Sequence, residues 1–318
     1  MKVRKILSGI LGSGAMCMLI LDSKTAMAGA ADGMELCIRS LIPALFPFLV
    51  VSPVLTGALS GSSVSLLVVG FLGGYPVGAR NVSGYYRNGT LPRHEAERML
   101  AFCSNAGPAF LFGIIGPMFS QWYIPWLLWL IHILGALTAG VIAVPRWPRG
   151  HNEHHVSLPD ALRSAVGTMG MICGWVMLFR IIIAFLEKWC FWAMPDAAQV
   201  LISGLLELSN GCVRLGQIEL PGLRYLISGV MLALGGCCVT MQTVSVCDGL
   251  SLRWYVPGKI IQCAVSILLC LATQFVFPAG DRVFLPGIAV LSMAVLIPAA
   301  FLLGRSEKSS SKIAAIGV

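Results

Sequence analysis

The sequence is poor in charge. Of 318 residues only 11% are Asp, Glu, Lys or Arg, whereas 57% are hydrophobic. A soluble chain usually carries about 25% charged residues to cover its surface. No stretch between the apolar runs is long enough to fold as a separate water-soluble domain, so the chain reads as one membrane domain. Catalytic signatures are missing as well. There is no phosphate-binding loop, no G-x-S-x-G elbow and no zinc signature; His94-Glu95 is followed by Arg98 where H-E-x-x-H needs its second ligand. This counts against an ATP-driven pump and an intramembrane enzyme, and no enzymatic activity is expected. The eleven cysteines form no C-x-x-C pair and lie mostly inside apolar segments, as Cys173, Cys263 and Cys270 do. They read as small buried hydrophobes, neither a disulfide framework nor a metal site.

Apolar runs recur along the whole chain, with a mean hydropathy of +0.84. About twenty apolar residues cross a hydrocarbon core of roughly 30 Å. Eight crossings are predicted, at 6–21, 38–58, 95–119, 122–145, 164–186, 222–249, 256–277 and 284–304. With the N-terminus in the cytoplasm, fifteen basic residues fall on the cytoplasmic side, among them Lys2, Arg4, Arg80, Arg93, Arg146, Arg253, Lys259 and Arg305. Six fall outside: Lys24, Arg39, Lys188, Arg214, Arg224 and Arg282. That asymmetry orients the chain in a cell membrane with both termini cytoplasmic. It explains the net charge of +8 without a nucleic-acid partner. Ala26-Met27-Ala28 resembles a signal-peptidase site, but the charge balance works better if the first segment stays as a helix.

Two apolar segments do not fit as ordinary spans. Residues 63–80 are broken by Gly70, Gly73, Gly74, Pro76 and Gly78, and residues 198–215 carry Glu207, Asn210 and Gly211 in the same relative place. Both are predicted to be re-entrant hairpins, tolerable in a membrane only where broken backbone is buried in protein or lines a cavity. GFLGGYPVGAR (Gly70–Arg80) parallels GLLELSNGCVR (Gly204–Arg214). Further on, LAFCSNAGPAF (Leu100–Phe110) parallels LALGGCCVTMQ (Leu232–Gln242). Order and spacing agree across helix, hairpin, interrupted helix and helix, which predicts an all-α inverted repeat with solute held between broken helices. The expected layout is an N-terminal helix or signal-anchor (1–32), a first repeat (33–145), a cytoplasmic loop (146–163), a second repeat (164–277), and a last crossing with a cytoplasmic tail (278–318).

The candidate site follows from this layout. Gly74, Tyr75 and Pro76 form the first hairpin tip; Ser104 and Asn105 precede the Gly107-Pro108 break, which frees backbone groups for a ligand. Glu207, Ser209 and Asn210 occupy the second hairpin, and an intramembrane carboxylate is a functional hypothesis by default. Glu207 would hold a coupling cation or proton, or accept a bond from the solute; alternatively it pairs with Arg180 or Arg214. Thr240 and Gln242 are the second-half counterparts of the Ser104 region. Arg80, Arg180 and Arg214 are candidates for an anion or for ion pairs, since a guanidinium grips carboxylates in bidentate fashion; for Arg80 a plain topology charge is the simpler reading. His132 reads as bonded to a neighbouring helix before it reads as a proton relay. The cluster His151, Glu153, His154 and His155 lacks metal-ligand spacing.

PALFPFLVVS (Pro43–Ser52), GGYPVGAR (Gly73–Arg80), LPRHEAERMLAFCSNAGPAFLFG (Leu91–Gly113), GLLELSNG (Gly204–Gly211) and GGCCVTMQ (Gly235–Gln242) carry a resemblance. In order, they are similar to the YlbJ-type sporulation integral membrane proteins of the nucleoside-recognition (gate) domain superfamily. The resemblance implies a fold like that of concentrative nucleoside transporters. It also implies transport of a small polar or anionic solute by alternating access: dipicolinate in a spore-surrounding membrane, or a nucleoside-like compound. No cofactor is expected; a coupling Na+ or H+ fits such a carrier. Its partners would be solute and lipid, and a homo-oligomer is compatible with the architecture. The chain departs from the family in being short and in having Cys237-Cys238 where small or hydroxyl residues are usual. A scaffold for spore or envelope assembly, working through loops such as Arg146–Asp160, is the alternative.

Overall fold

A computed structural model describes residues 2–58, 70–143 and 156–276. The predicted last crossing, the His151–His155 cluster and most of the 146–163 loop lie outside these residues. Thirteen helical elements carry the description. They are α1 (Lys2–Leu21), α2 (Ser23–Leu36), α3 (Ile42–Ala58), α4 (Val77–Arg87), α5 (Arg93–Met99), α6 (Pro108–Met118), α7 (Ile124–Ala143), α8 (Leu158–Trp189), α9 (Asp196–Leu206), α10 (Leu208–Val213), α11 (Pro221–Leu234), α12 (Gly236–Val246) and α13 (Tyr255–Val276). No strand occurs among the described residues. The chain is an all-α membrane protein.

Among the described residues, five helices are long and apolar enough to cross a membrane: Ser23–Leu55, Ile124–Ala143, Leu158–Trp189, Pro221–Val246 and Tyr255–Gln274. Their outward faces are apolar, with Leu137, Val141, Leu162, Val166, Leu268 and Leu271 exposed, as a lipid-facing surface requires. The predicted crossing at 95–119 is not one helix. It divides into the charged α5, an irregular stretch from Leu100 to Gly107, and α6. Pro108 explains the restart. It has no N–H to bond back into a preceding turn and disfavours helical backbone just before it, and Gly107 is extended (φ −81°, ψ 163°). In the second half, the 222–249 crossing breaks at Gly235 and Gly236, whose φ angles of 72° and 81° lie in the left-handed region that ends helices.

The crossing predicted at 38–58 begins earlier, at Ser23, because α2 runs on through 37–41 into α3 as one long helix, and its α2 part packs antiparallel on α8. Gly29 of α2 faces Ala184 of α8, Gly33 faces Met177, and Cys37 faces Cys173, so residue numbers rise on one helix as they fall on the other. Gly29 and Gly33 form a small-x-x-x-small face, the pattern that lets membrane helices approach closely. Ser157 caps α8 by accepting the Asp160 N–H, and Asp22 caps α2 at Thr25.

Candidate functional site

Two short hairpins enter the bundle interior. In the first, whose residues 63–69 lie outside the described residues, 70–73 are helical, Gly74-Tyr75-Pro76 makes the tip, and α4 returns. In the second, α9 stops at Glu207 and α10 returns. The arms touch through glycine. Gly70 lies beside Gly78, and a Cβ on Gly211 would overlap the Gly204 backbone. Each hairpin also rests on the broken helix of its own half. A Cβ on Gly78 would enter the Cys103 carbonyl, and one on Gly107 would come within 2.9 Å of Gly74 N; a Cβ on Gly236 would come within 2.7 Å of the Gly204 oxygen. Contacts then cross between halves. Tyr75 OH donates to Leu232 O at 3.0 Å, α4 packs on α12, and α10 packs on the 111–115 turn of α6.

These pieces surround a cavity of about 30 Å³, lined by Tyr75, Ala106, Gly107, Glu207, Ser209 and Gln242 among apolar side chains. That is room for one or two waters. Glu207 is buried and bonded within its own hairpin. One oxygen accepts the Ser209 N–H at 3.1 Å; the other accepts the Asn210 N–H at 2.8 Å and Asn210 Nδ2 at 2.7 Å. The carboxylate therefore caps α10, satisfying amides that the chain reversal leaves without helical partners.

Other candidates are placed differently. Arg180 bonds Asp32 at 2.7 Å and Glu187 at 2.9 Å, and Arg214 also grips Glu187. Both are ion-paired, but neither pairs with Glu207, which corrects that alternative. Arg80 bonds Ser164 on α8, away from the cavity lining. Thr240 donates to Gly236 O within its own helix at 3.0 Å, whereas Gln242 lines the cavity with Nε2 3.3 Å from Cys238 Sγ. Ser104 and Asn105 are fully buried but do not line the cavity. They face α13.

There the sequence reading missed the main polar cluster. Lys259 stands out as a correction: expected among the cytoplasmic topology charges, it is only 3% exposed. Its ammonium donates to Ser104 O at 2.6 Å and Gln262 Oε1 at 2.9 Å. Tyr75 OH lies at 3.4 Å and Asn105 Oδ1 at 3.5 Å. The rings of Tyr75 and Tyr255 flank it, with centroids at 5.1 and 5.7 Å, within cation–π range. Gln262 Nε2 bonds Asn105 Oδ1 at 3.1 Å and His132 O at 3.1 Å. His132 Nε2 accepts the Ala106 N–H at 3.0 Å, so this nitrogen is unprotonated, as expected of a histidine bonded to a neighbouring segment. The available signal was position: Lys259 falls inside an apolar segment, where an ionisable residue calls for a partner.

Comparison with known proteins agrees with the membrane architecture. The chain is similar to the sporulation integral membrane protein YlbJ of Bacillus subtilis (strain 168). It shares 20% identity with that protein over 302 residues, covering 74% of each chain. No family model matches the chain, and no solved structure matches it. The likeness to YlbJ supports a YlbJ-like integral membrane protein, without reaching a solute or a mechanism.

Proposed function

We propose that the protein is a secondary transporter or facilitator of a small polar or anionic solute, with no covalent chemistry, working by alternating access between two inverted repeats. One observation carries this reading. Both hairpin tips, the first helix break and α12, which follows the second break, line one small cavity through Tyr75, Gly107, Glu207, Ser209 and Gln242. Irregular backbone at the centre of an apolar bundle is tolerated where it is buried in protein or serves a passage. In this reading the hairpins are re-entrant, and the closed cavity is an occluded stage that opens when a tip parts from its broken helix.

The similarity to a sporulation membrane protein makes dipicolinate the first solute to test, with a nucleoside-like compound second. It also makes a spore-surrounding membrane the location to examine. Charge asymmetry supports a multi-pass protein with both termini cytoplasmic.

The test is flux of radiolabelled dipicolinate, with a nucleoside for comparison, in proteoliposomes containing wild type or Glu207→Gln. Saturable dipicolinate flux that falls in the variant supports the reading. If neither solute moves, dipicolinate and nucleosides are rejected as solutes and the scaffold alternative gains.

A further inference from the structure

A carrier coupled to Na+ would need a set of oxygen ligands for the ion where its helices are broken. The best oxygen cluster at either helix break is the one formed by Ser104 O, Gln262 Oε1, Asn105 Oδ1 and Tyr75 OH, and the Lys259 ammonium already sits among them. We propose that Lys259 is a tethered replacement for a coupling metal cation, so that transport proceeds without Na+. This rests on the carrier reading above.

Three observations on the page support it. All four acceptors are neutral oxygens, the kind of ligand set that receives a monovalent cation. The ammonium is bound to both halves at once: Ser104 and Asn105 belong to the first broken helix, Tyr75 to the first hairpin tip, and Lys259 and Gln262 to α13 of the second half. Tyr75 in turn reaches Leu232 O at the second break. Finally, the backbone is shaped to bring the lysine there. A Cβ on Gly258 would lie 2.7 Å from the Ala101 Cα, and Gly135 on α7 leaves space for Gln262. A metal ion added to this cluster would meet a like charge a few ångströms away in a low dielectric, where repulsion is strongest. The residues therefore do not fit Na+. A cation that is part of the chain cannot leave during the cycle, so no Na+ gradient is coupled to the solute through this cluster.

Wild type is measured first, since those arms do not depend on any variant folding. Dipicolinate flux in proteoliposomes is expected to agree within about twofold between sodium and choline chloride at equal ionic strength. The thermal midpoint of the purified protein is expected to be the same in both salts. Lys259→Ala is then expected to lose about tenfold in flux and to regain most of it with propylammonium chloride, which supplies the missing ammonium. Propylammonium, but not sodium, should also raise the thermal midpoint of Lys259→Ala. Lys259→Met, similar in volume but uncharged, should remain as impaired as the unrescued alanine variant.

Flux or stability of wild type that depends on sodium overturns the proposal, as does full flux in Lys259→Met or rescue of Lys259→Ala by sodium. If wild type moves no dipicolinate in either salt, dipicolinate is rejected as the solute of the carrier reading. The stability arms then still decide whether the Lys259 cluster binds an ammonium in preference to a metal ion.

Discussion

Replacing Glu207 tests whether the second hairpin tip is held by its own carboxylate. Three donors converge on that group: the N–H groups of Ser209 and Asn210 and the Asn210 side-chain amide. Each buried donor left without an acceptor costs about 1–3 kcal/mol. In Glu207→Gln one oxygen remains, which keeps both Asn210 bonds if it occupies the Oε2 position; the new NH2 group then points at the Ser209 N–H. One donor is lost, for about 1–3 kcal/mol. Glu207→Ala leaves all three donors without an acceptor, for roughly 3–9 kcal/mol on the same scale. Glu207→Asp keeps a carboxylate of a type favoured at helix starts and is expected to fall within about 1 kcal/mol of wild type. Unfolding midpoints in mixed detergent, followed by circular dichroism, should order the variants Asp, Gln, Ala from most to least stable. Hydrogen exchange should locate the loss at the Ser209 and Asn210 amides. An alanine variant as stable as wild type would refute the capping argument and leave the carboxylate free for another role.

Gly78→Ala should destabilise by more than about 3 kcal/mol or prevent folding, because its Cβ enters the Cys103 carbonyl. Gly84→Ala, on the same helix with open space around it, should be neutral or stabilising by up to about 1 kcal/mol; paired unfolding curves check both. Tyr75→Phe removes the bond to Leu232 O and should cost about 1 kcal/mol while reducing dipicolinate flux, read from the same liposome assay. Glu97 lies on α5, outside the five apolar spans. Burial raises its carboxyl, but hydrogen bonds from Arg93 and the Ser251 N–H, with the charges of Arg93 and Arg253, outweigh that and hold it below its ordinary value. A carboxyl lowered by folding stabilises above its unfolded value of about 4.3, and that contribution is lost as pH falls through the folded value. Unfolding midpoints of wild type should therefore drop on acidification more than those of Glu97→Gln.

Hairpins and broken helices were legible because their signals are local. Gly74, Pro76, Gly107-Pro108 and Gly235-Gly236 break or redirect backbone wherever they stand. The parallel between Gly70–Arg80 and Gly204–Arg214 points to the glycines that let each pair of arms touch. What stayed hidden was pairing between distant segments. Nothing near Lys259 in the chain says that its acceptors lie more than 150 residues earlier, at Ser104 and Asn105. Arg180 reads as an anion or ion-pair candidate; of its partners, Glu187 lies two turns on along α8 and Asp32 comes from the packing of α2 on α8. Glu207 looked free for a ligand because a glutamate seldom caps a helix; the chain reversal makes it do so here.

The antiparallel seam between the first helices of the two halves has a mechanical consequence. Helix α8 has 32 residues, about 48 Å, well beyond a hydrocarbon core of roughly 30 Å. If residues 161–179 fill that core at about 1.5 Å each, the end bearing Arg180, Glu187 and Lys188 stands clear of the lipid. There it is bolted to Asp32 and Asp22 of α2. The two halves are thus joined along a long rigid mast, locked at its crown by ions. Swinging the halves apart as independent blocks would break these ion pairs, so in the proposed cycle the mast would be the stationary part and the glycine-hinged hairpins the parts that travel.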